Sequence, residues 1–215
     1  MTGLHTMKIT VFGATGMVGR HVVSQALLKN HFVRAFGRNV HELKDNNKNL
    51  ELIKGGVFDT EDIFRSLSGC DAVISVLGGS FDGLDKTRSL GMKNIITQMK
   101  NTGVMRIIAL GGMGVLDHPD GGLIIDQPEY PKEYIPVGKE HQKAWGELQA
   151  SGLNWTFVCS PDIIDADPRG NFITAANVFP EGAAFRINSG DLALFMLQEL
   201  EHEKYPKQRV GIGSV

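Results

Sequence analysis

Three evenly spaced glycines, Gly13, Gly16 and Gly19, lie between an apolar run at 9–12 and a segment from residue 18 whose apolar side chains recur with helical period. Glycines in a turn between a strand and a helix are what a phosphate-binding loop requires. Gly13 permits the tight turn, Gly16 lets backbone N–H groups approach a pyrophosphate, and Gly19 lets the helix pack closely on the strand. The helix N-terminus supplies unpaired N–H donors. The stretch predicts a dinucleotide-binding loop, although its G-x-x-G-x-x-G spacing also fits a glycine-rich turn without a ligand.

Apolar strand-like runs alternate with helix-like segments along the rest of the chain. This alternation predicts an α/β fold, a doubly wound parallel sheet with helices on both faces. Because 215 residues suit one large domain and no linker or repeat interrupts them, we predict a single domain, 1–215. The predicted strands are 8–12, 32–36, 50–54, 72–77, 106–110, 155–159, 172–174, 184–187 and an edge strand at 209–213. The predicted helices are 17–29, 41–44, one starting at 60–63 with Thr60 as its cap, one ending near Gly103, 138–150 and 191–203.

A positively charged turn, Gly37-Arg38-Asn39, follows the second predicted strand. A nucleotide-binding fold reads the adenosine ribose about 20 residues beyond its glycine loop. An acidic residue there would bond the 2′-hydroxyl, whereas Arg38 offers a permanently charged, bidentate partner for a 2′-phosphate. The sequence therefore favours NADP (NADPH) over NAD, with a solvated loop arginine as the alternative.

Three other segments follow predicted strands at the same edge of the sheet. Val57 and Phe58 are candidate apolar contacts of an adenine, or core residues. Gly78-Gly79 would let the backbone approach a cofactor, or would form a simple turn. After the fifth strand, a proline-rich loop of about 20 residues leaves the sheet at its carboxyl edge, where ligands of open α/β sheets bind. We expect this loop to cover the substrate.

Composition and charge exclude several other functions. The net charge is −2 and the basic residues are scattered, so neither nucleic acid nor a membrane is expected as a partner. No apolar run has the length of a membrane span, and residues 1–7 do not resemble a signal peptide. The two distant cysteines favour a reducing compartment and a cytoplasmic location, with Cys159 as an inert core thiol. The sequence contains no H-E-x-x-H metal motif and no G-x-S-x-G elbow, so no metal is expected.

Several motifs together resemble the atypical short-chain dehydrogenase/reductases. Within that group the chain is similar to the small NAD(P)H-binding proteins related to flavin reductase (biliverdin-IXβ reductase) and to the NmrA-like proteins. The resemblance implies a Rossmann-type sheet and a small C-terminal substrate-binding region at about 160–190. The motifs are Gly13-Ala14-Thr15-Gly16-Met17-Val18-Gly19, Gly37-Arg38, Asp71-Ala72-Val73-Ile74-Ser75, Asn94-Ile95-Ile96 and Ser151-Gly152-Leu153-Asn154-Trp155-Thr156.

The resemblance also implies which residues would hold the cofactor. Arg38 would bind the 2′-phosphate, and Leu77-Gly78-Gly79 would line the ribose and the nicotinamide. The pyrophosphate would lie on the glycine loop and the start of the following helix, at Gly13, Thr15, Gly16, Met17, Val18 and Gly19.

The chain departs from the wider family at its catalytic residues. No tyrosine is followed by a lysine four residues later, so the usual Tyr-x-x-x-Lys acid is missing. The serine that follows the fifth strand in many relatives is replaced by Gly111-Gly112, and an aspartate common after the third strand is replaced by Gly56. His141 resembles a histidine of the flavin reductase branch and is a candidate proton relay, or a packed helix residue.

These features favour a reductase that transfers hydride from NADPH to a flavin, a quinone or a similar planar acceptor. Solvent can supply the proton to a flavin or a linear tetrapyrrole, so a site without the usual tyrosine acid is compatible with that chemistry. Such an enzyme should have a sizeable apolar cavity beside the nicotinamide, for which we predict the walls Met113, Trp145, Phe172 and Phe179. The alternative is a non-catalytic, NmrA-like protein that senses redox state, in which that space could be filled. The sequence does not reveal the oligomeric state.

Overall fold

The computed structural model describes residues 6–215, which form ten strands and five helices. Helices separate most of the strands as far as residue 160, whereas the segment 154–188 contains four strands with no helix between them. Residues 1–5 lie outside the described residues, and with them most of the segment 1–7 for which no signal peptide was predicted. The helices are α1 (Met17–Leu28), α2 (Thr60–Leu67), α3 (Thr87–Thr102), α4 (Ile135–Gln149) and α5 (Ser189–His202). The strands are β1 (Lys8–Phe12), β2 (Phe32–Gly37), β3 (Leu50–Lys54), β4 (Ala72–Ser75), β5 (Arg106–Gly112), β6 (Asn154–Ser160), β7 (Asp162–Ile164), β8 (Phe172–Ala176), β9 (Arg186–Asn188) and β10 (Gln208–Ser214).

Eight of the strands form one sheet in the order β3-β2-β1-β4-β5-β6-β10-β8. Neighbouring strands are parallel except for the last pair, β10 and β8. The order of the first six is that of a doubly wound Rossmann sheet, which confirms the predicted fold class. The chain reverses its direction of winding between β1 and β4, and ligands of such sheets bind in the crevice at this point.

Two apolar layers cover the sheet, one on each face. Helices α1 and α5 pack on one face, where Val22 and Leu197 are fully buried. Helices α2, α3 and α4 pack on the other, where Ile63, Met99 and Leu148 are fully buried. The strands between them carry apolar side chains to both faces, as a parallel sheet covered on both sides requires.

Four element predictions need correction. The short helix predicted at 41–44 is a single 3-10 turn at Val40–Glu42. The run at 209–213, predicted as an edge strand, lies inside the sheet as β10, because β6 pairs with it on one side and β8 on the other. The fourth strand ends at Ser75 rather than at residue 77, since the chain leaves the sheet there. Helix α2 is capped by Asp59 rather than Thr60, because the Asp59 carboxylate accepts from the N–H groups of Glu61 and Asp62.

The segment at 160–190 is only partly separate from the main sheet. Strands β7 and β9 form a small parallel sheet of their own, whereas β8 extends the main sheet by pairing with β10. No helix between residues 6 and 215 is long and apolar enough to cross a membrane.

Candidate functional site

The glycine loop leaves β1 and enters α1 at the switch point of the sheet. Gly13 has φ of +81°, a conformation that favours glycine, and its carbonyl accepts from the N–H of Gly16 at 3.0 Å. Gly16 caps α1 without a side chain, and the first turn of the helix contains no acidic residue. The first N–H groups of α1 therefore remain available to an anion such as a phosphate.

Each glycine of the loop has a different environment. A Cβ on Gly13 would lie 2.5 Å from the carbonyl oxygen of Val76, and one on Gly19 would lie 2.1 Å from that of Gly13. Both positions therefore require glycine for packing. A Cβ on Gly16 would meet only the Gly13 carbonyl oxygen, at 3.3 Å, and Gly16 is exposed in the cavity.

A cavity of about 1160 Å³ begins at this loop and continues along the carboxyl edge of the sheet. It exceeds the ~300–1,000 Å³ of ordinary small-molecule pockets, so it has room for a long ligand and a second molecule. Eleven of the twelve predicted cofactor residues line it, and the exception is Gly19, which is packed beneath the loop. The eleven are Gly13, Thr15, Gly16, Met17, Val18, Arg38, Val57, Phe58, Leu77, Gly78 and Gly79.

On the β2 side of the glycine loop, the cavity carries the Arg38 side chain. Arg38 is exposed and has no hydrogen bond or salt bridge to any residue between 6 and 215. Phe58 is also largely exposed, whereas Val57 is half-buried and its carbonyl accepts from the Asn94 side chain at 2.9 Å. This side of the cavity therefore offers a free cation beside an apolar side chain.

The loop after β4 is held by two charged residues that sequence reasoning missed. Arg88 donates to the carbonyl oxygens of Gly79 and Ser80, each at 3.0 Å, and Asp85 accepts from the N–H of Ser80. Arg88 is 8% exposed, and its Nε has no partner among residues 6–215. One signal was available: Arg88 lies four residues before Met92 on the buried face of α3, where an apolar residue would be expected.

His141 lines the cavity from α4, beside the end of β5. A Cβ on Gly112 would lie 2.9 Å from its Cδ2, so the missing side chain makes room for the imidazole. Burial, together with the nearby Arg88 charge, lowers the pKa of His141 to about 3. Solvent still reaches part of the ring through the cavity, but protein surrounds it. The imidazole is therefore neutral at neutral pH, and its role as a proton relay stays a prediction.

Of the four predicted walls of the substrate pocket, only Met113 lines the cavity. Trp145 packs beneath the Arg209 guanidinium, 4.3 Å from its ring centre. Phe172 lies on β8 and packs against Phe195 in the layer of α1 and α5. Phe179 stacks on Phe185 at 4.8 Å, and it is Phe185 that faces the cavity. The prediction was wrong for these three aromatic residues because sequence position alone did not show which face of the sheet each would cover.

Besides Phe36 and Phe58, four aromatic residues line the cavity, and these four come from three separate segments. Phe81 follows β4, Tyr130 and Tyr134 precede α4, and Phe185 precedes β9. Phe81 is 59% exposed and Phe185 67%, so part of each ring is accessible, although Arg88 lies over the Phe81 ring and Phe179 stacks on Phe185. These side chains make the end of the cavity near His141 an aromatic chamber.

The proline-rich loop borders this chamber, and its expected role of covering the substrate stays a prediction. It contributes Gly114, His118, Ile124 and Gln127 among other residues, and it contains short turns of 3-10 helix. Arg209 on β10 fixes its start by donating to the Val115 carbonyl and the Asp117 carboxylate. These contacts attach the start of the loop to β10 of the main sheet.

A nucleophilic cysteine and a metal centre are two other kinds of site that we looked for between residues 6 and 215. Burial raises the pKa of the Cys159 thiol, which keeps it a protonated core residue. Residues 6–215 contain no group of three or more histidine, cysteine, aspartate or glutamate side chains that could hold a metal ion.

Comparisons with known proteins agree with this geometry. The family model described as NAD(P)H-binding matches residues 13–203. The uncharacterised protein YwnB of Bacillus subtilis is 27% identical, over 97% of this chain and 99% of its own. A Streptococcus pneumoniae structure described provisionally as an NADH-flavin reductase has a TM-score of 0.83 at 28% identity, covering 97% of this chain and 100% of the other. A Bacteroides thetaiotaomicron structure described provisionally as an epimerase has a TM-score of 0.86 at 25% identity, covering 98% of each chain.

Proposed function

Because this chain belongs to the NAD(P)H-binding family, we propose that it is an NADPH-dependent reductase that delivers hydride to a planar acceptor such as a flavin or a quinone. The observation that carries the proposal is the continuity of the cavity. The glycine loop, the Arg38 side chain and the aromatic chamber all open into one space. A dinucleotide extended along the sheet edge would bring its nicotinamide to the chamber, where a flat acceptor could stack on it.

The residues present fit such a cofactor. The uncapped N-terminus of α1 suits the pyrophosphate, and Gly16 leaves space for it. The Arg38 guanidinium has no partner among the described residues, which suits the 2′-phosphate of NADPH. When bound, the reduced nicotinamide supplies the hydride. The protein orients the two partners and excludes part of the solvent between Phe81, Tyr134 and Phe185.

The open chamber also favours turnover over sensing. A redox sensor of the NmrA-like kind needs only the dinucleotide half of the cavity and could fill the remainder with side chains. Here the space beside Gly78, Gly112 and His141 is open.

The experiment is NADPH oxidation at 340 nm with FMN, FAD, riboflavin and a quinone, together with NADPH binding by calorimetry. Saturable, acceptor-dependent turnover supports the reductase and identifies the acceptor. Tight binding without turnover on any acceptor would shift the assignment to the sensing role. Absence of binding would refute the cofactor assignment itself.

Cofactor preference is tested by removing the Arg38 charge. NADPH should bind more tightly than NADH, and Arg38→Ala should weaken NADPH binding by about tenfold or more while leaving NADH binding within about twofold, because only NADPH carries the 2′-phosphate. Arg169→Ala is the matched control, since Arg169 is an exposed arginine that does not line the cavity. Equal affinity of the wild-type protein for the two cofactors would contradict the role of Arg38.

A further inference from the structure

The chamber contains a phenol that the family pattern does not predict. Tyr130 lies in the proline-rich loop rather than on α4, and its side chain lines the cavity. A Cβ on Gly114 would lie 2.7 Å from the Tyr130 hydroxyl oxygen, and one on Gly138 would lie 3.2 Å from it. The end of the phenol ring therefore occupies a slot formed by two glycines, one after β5 and one on the first turn of α4.

This slot places the hydroxyl beside the other polar groups of the chamber. Gly138 and His141 are three residues apart on α4, so they share one face of the helix. The His141 ring packs against Gly112, two residues before the Gly114 side of the slot. The Tyr130 hydroxyl thus lies at the same corner as His141, where β5 ends and α4 begins.

The hydroxyl is available to a ligand. It makes no hydrogen bond with any residue between 6 and 215, and it is not among the buried unpaired atoms of that range, so solvent reaches it. Burial and the neighbouring Tyr134 raise the pKa of Tyr130, which keeps the phenol protonated at neutral pH.

The other groups in the chamber are poorer proton donors. His141 is neutral, with its pKa lowered to about 3. His118 accepts from the Asp120 N–H through its Nδ1 and lies within 3.7 Å of the Asp120 carboxylate. The Ser160 hydroxyl donates to the Gly111 carbonyl. Tyr134 lies at the mouth, 39% exposed, and packs against Phe81.

We propose that Tyr130 is the proton donor of the reaction and that the acceptor it serves is a quinone. This inference rests on the proposed reductase function and narrows it. The quinone gains two electrons and one hydrogen as hydride from the reduced nicotinamide, which is oxidised. Its carbonyl oxygen gains the proton as the Tyr130 O–H bond breaks, and the phenolate recovers a proton from water at the cavity mouth. A flavin needs no such donor, because solvent can protonate its reduced form.

The test is Tyr130→Phe, which keeps the ring in the glycine slot and removes only the hydroxyl. With menadione as the quinone, kcat should fall by about 100-fold, within the range of lost general acids. NADPH affinity should stay unchanged, which also shows that the variant is folded. Menadione binding to the NADP⁺ complex, measured by calorimetry without turnover, should weaken by about fivefold, the equivalent of one neutral hydrogen bond of about 1 kcal/mol.

Tyr205→Phe is the matched control, since it removes a phenol hydroxyl that hydrogen-bonds Thr174 and does not line the cavity. It should change menadione turnover by less than about twofold. If the wild-type protein reduces menadione and Tyr130→Phe reduces it equally well, the assignment of Tyr130 is wrong but the reductase function stands. The same holds if the wild-type protein reduces FMN and not menadione. A wild-type protein that reduces no acceptor overturns the proposed function instead.

Discussion

At position 16 a side chain would meet open cavity, whereas at position 19 it would meet the backbone of the loop itself. The same residue type therefore serves binding at one position and folding at the other. A glycine motif read from sequence does not separate these two roles, and the distances around each missing Cβ do.

A pair of valine substitutions should separate the two roles. Gly16→Val should abolish most NADPH binding, by at least about 100-fold, while the melting temperature falls little. Gly19→Val should lower the free energy of unfolding by about 3 kcal/mol or more, because its Cβ would lie 2.1 Å from the Gly13 carbonyl oxygen. Calorimetry and urea denaturation measure the two effects. Equal loss of stability in both variants would contradict the distinction.

The neutral state of His141 should be visible in the pH dependence of stability. The pKa of His141 is about 3 in the folded protein and about 6.5 in the unfolded chain, so below pH 6.5 the unfolded chain binds a proton that the folded protein does not. The free energy of unfolding therefore decreases as the pH falls below about 6.5. Between pH 7 and pH 5 the wild-type protein should lose about 2 kcal/mol more stability than His141→Gln.

Urea denaturation at the two pH values measures this difference. His118→Gln is the matched control, because His118 lines the same cavity but faces the Asp120 carboxylate. A wild-type pH dependence identical to that of His141→Gln would show that the imidazole is solvated and titrates normally.

Among the elements, α3 and α4 are joined by a buried carboxylate. Glu140 on α4 is 2% exposed and accepts from the Ser89 hydroxyl on α3 and from the Nζ atoms of Lys86 and Lys143, at 3.1 and 2.8 Å. Burial alone would raise the pKa of Glu140, but these hydrogen bonds outweigh it and lower the pKa. Because α3 carries Arg88 and α4 carries His141, this contact keeps two walls of the chamber together.

Glu140→Gln should lower the free energy of unfolding at pH 7 by about 2 kcal/mol, since the amide keeps the shape but loses charge-assisted bonds to two partly exposed lysines. Because the pKa of Glu140 is lower in the folded than in the unfolded protein, its carboxylate stabilises the folded state at pH values above the unfolded pKa. The difference in stability between the wild-type protein and Glu140→Gln should therefore shrink as the pH falls below about 4. Glu147→Gln on the same helix should change stability by less than about 0.5 kcal/mol. An equal effect of the two substitutions would contradict a role for the buried network.

For the whole molecule, the cavity joins segments that follow β1, β2, β3, β4, β5, β6 and β8, so a ligand filling it links parts of the chain that are far apart in sequence. NADPH at 100 times its Kd should stabilise the folded state by about 2.7 kcal/mol. In a domain of this size, that corresponds to a rise in melting temperature of roughly 5–10 °C.

Thermal shift measurements with NADPH and NADH at equal concentration test this expectation, and the rise should be smaller with NADH. In Gly16→Val the rise should vanish. A rise that persists in Gly16→Val would mean that the stabilising ligand binds elsewhere.

Local sequence patterns were sufficient for the fold and for the dinucleotide half of the cavity. Strand and helix periodicity depends on neighbouring residues, and the residues proposed to contact the cofactor follow strands directly, so the sequence alone assigns Arg38 and Gly78 to the sheet edge. The position of β10 was not predictable in this way, because its partners β6 and β8 come from other parts of the chain.

The aromatic chamber was decided by the tertiary structure alone. Phe81, Tyr130 and Phe185 line one cavity only through folding, and nothing in their local sequence marks them as parts of one site. The low pKa of His141 likewise depends on burial and on Arg88, 53 positions away in the chain (141 − 88). Sequence by itself therefore determined the sheet and its glycine loop, which are local. Only the packed molecule determined the chamber, because its walls and charges come from distant segments.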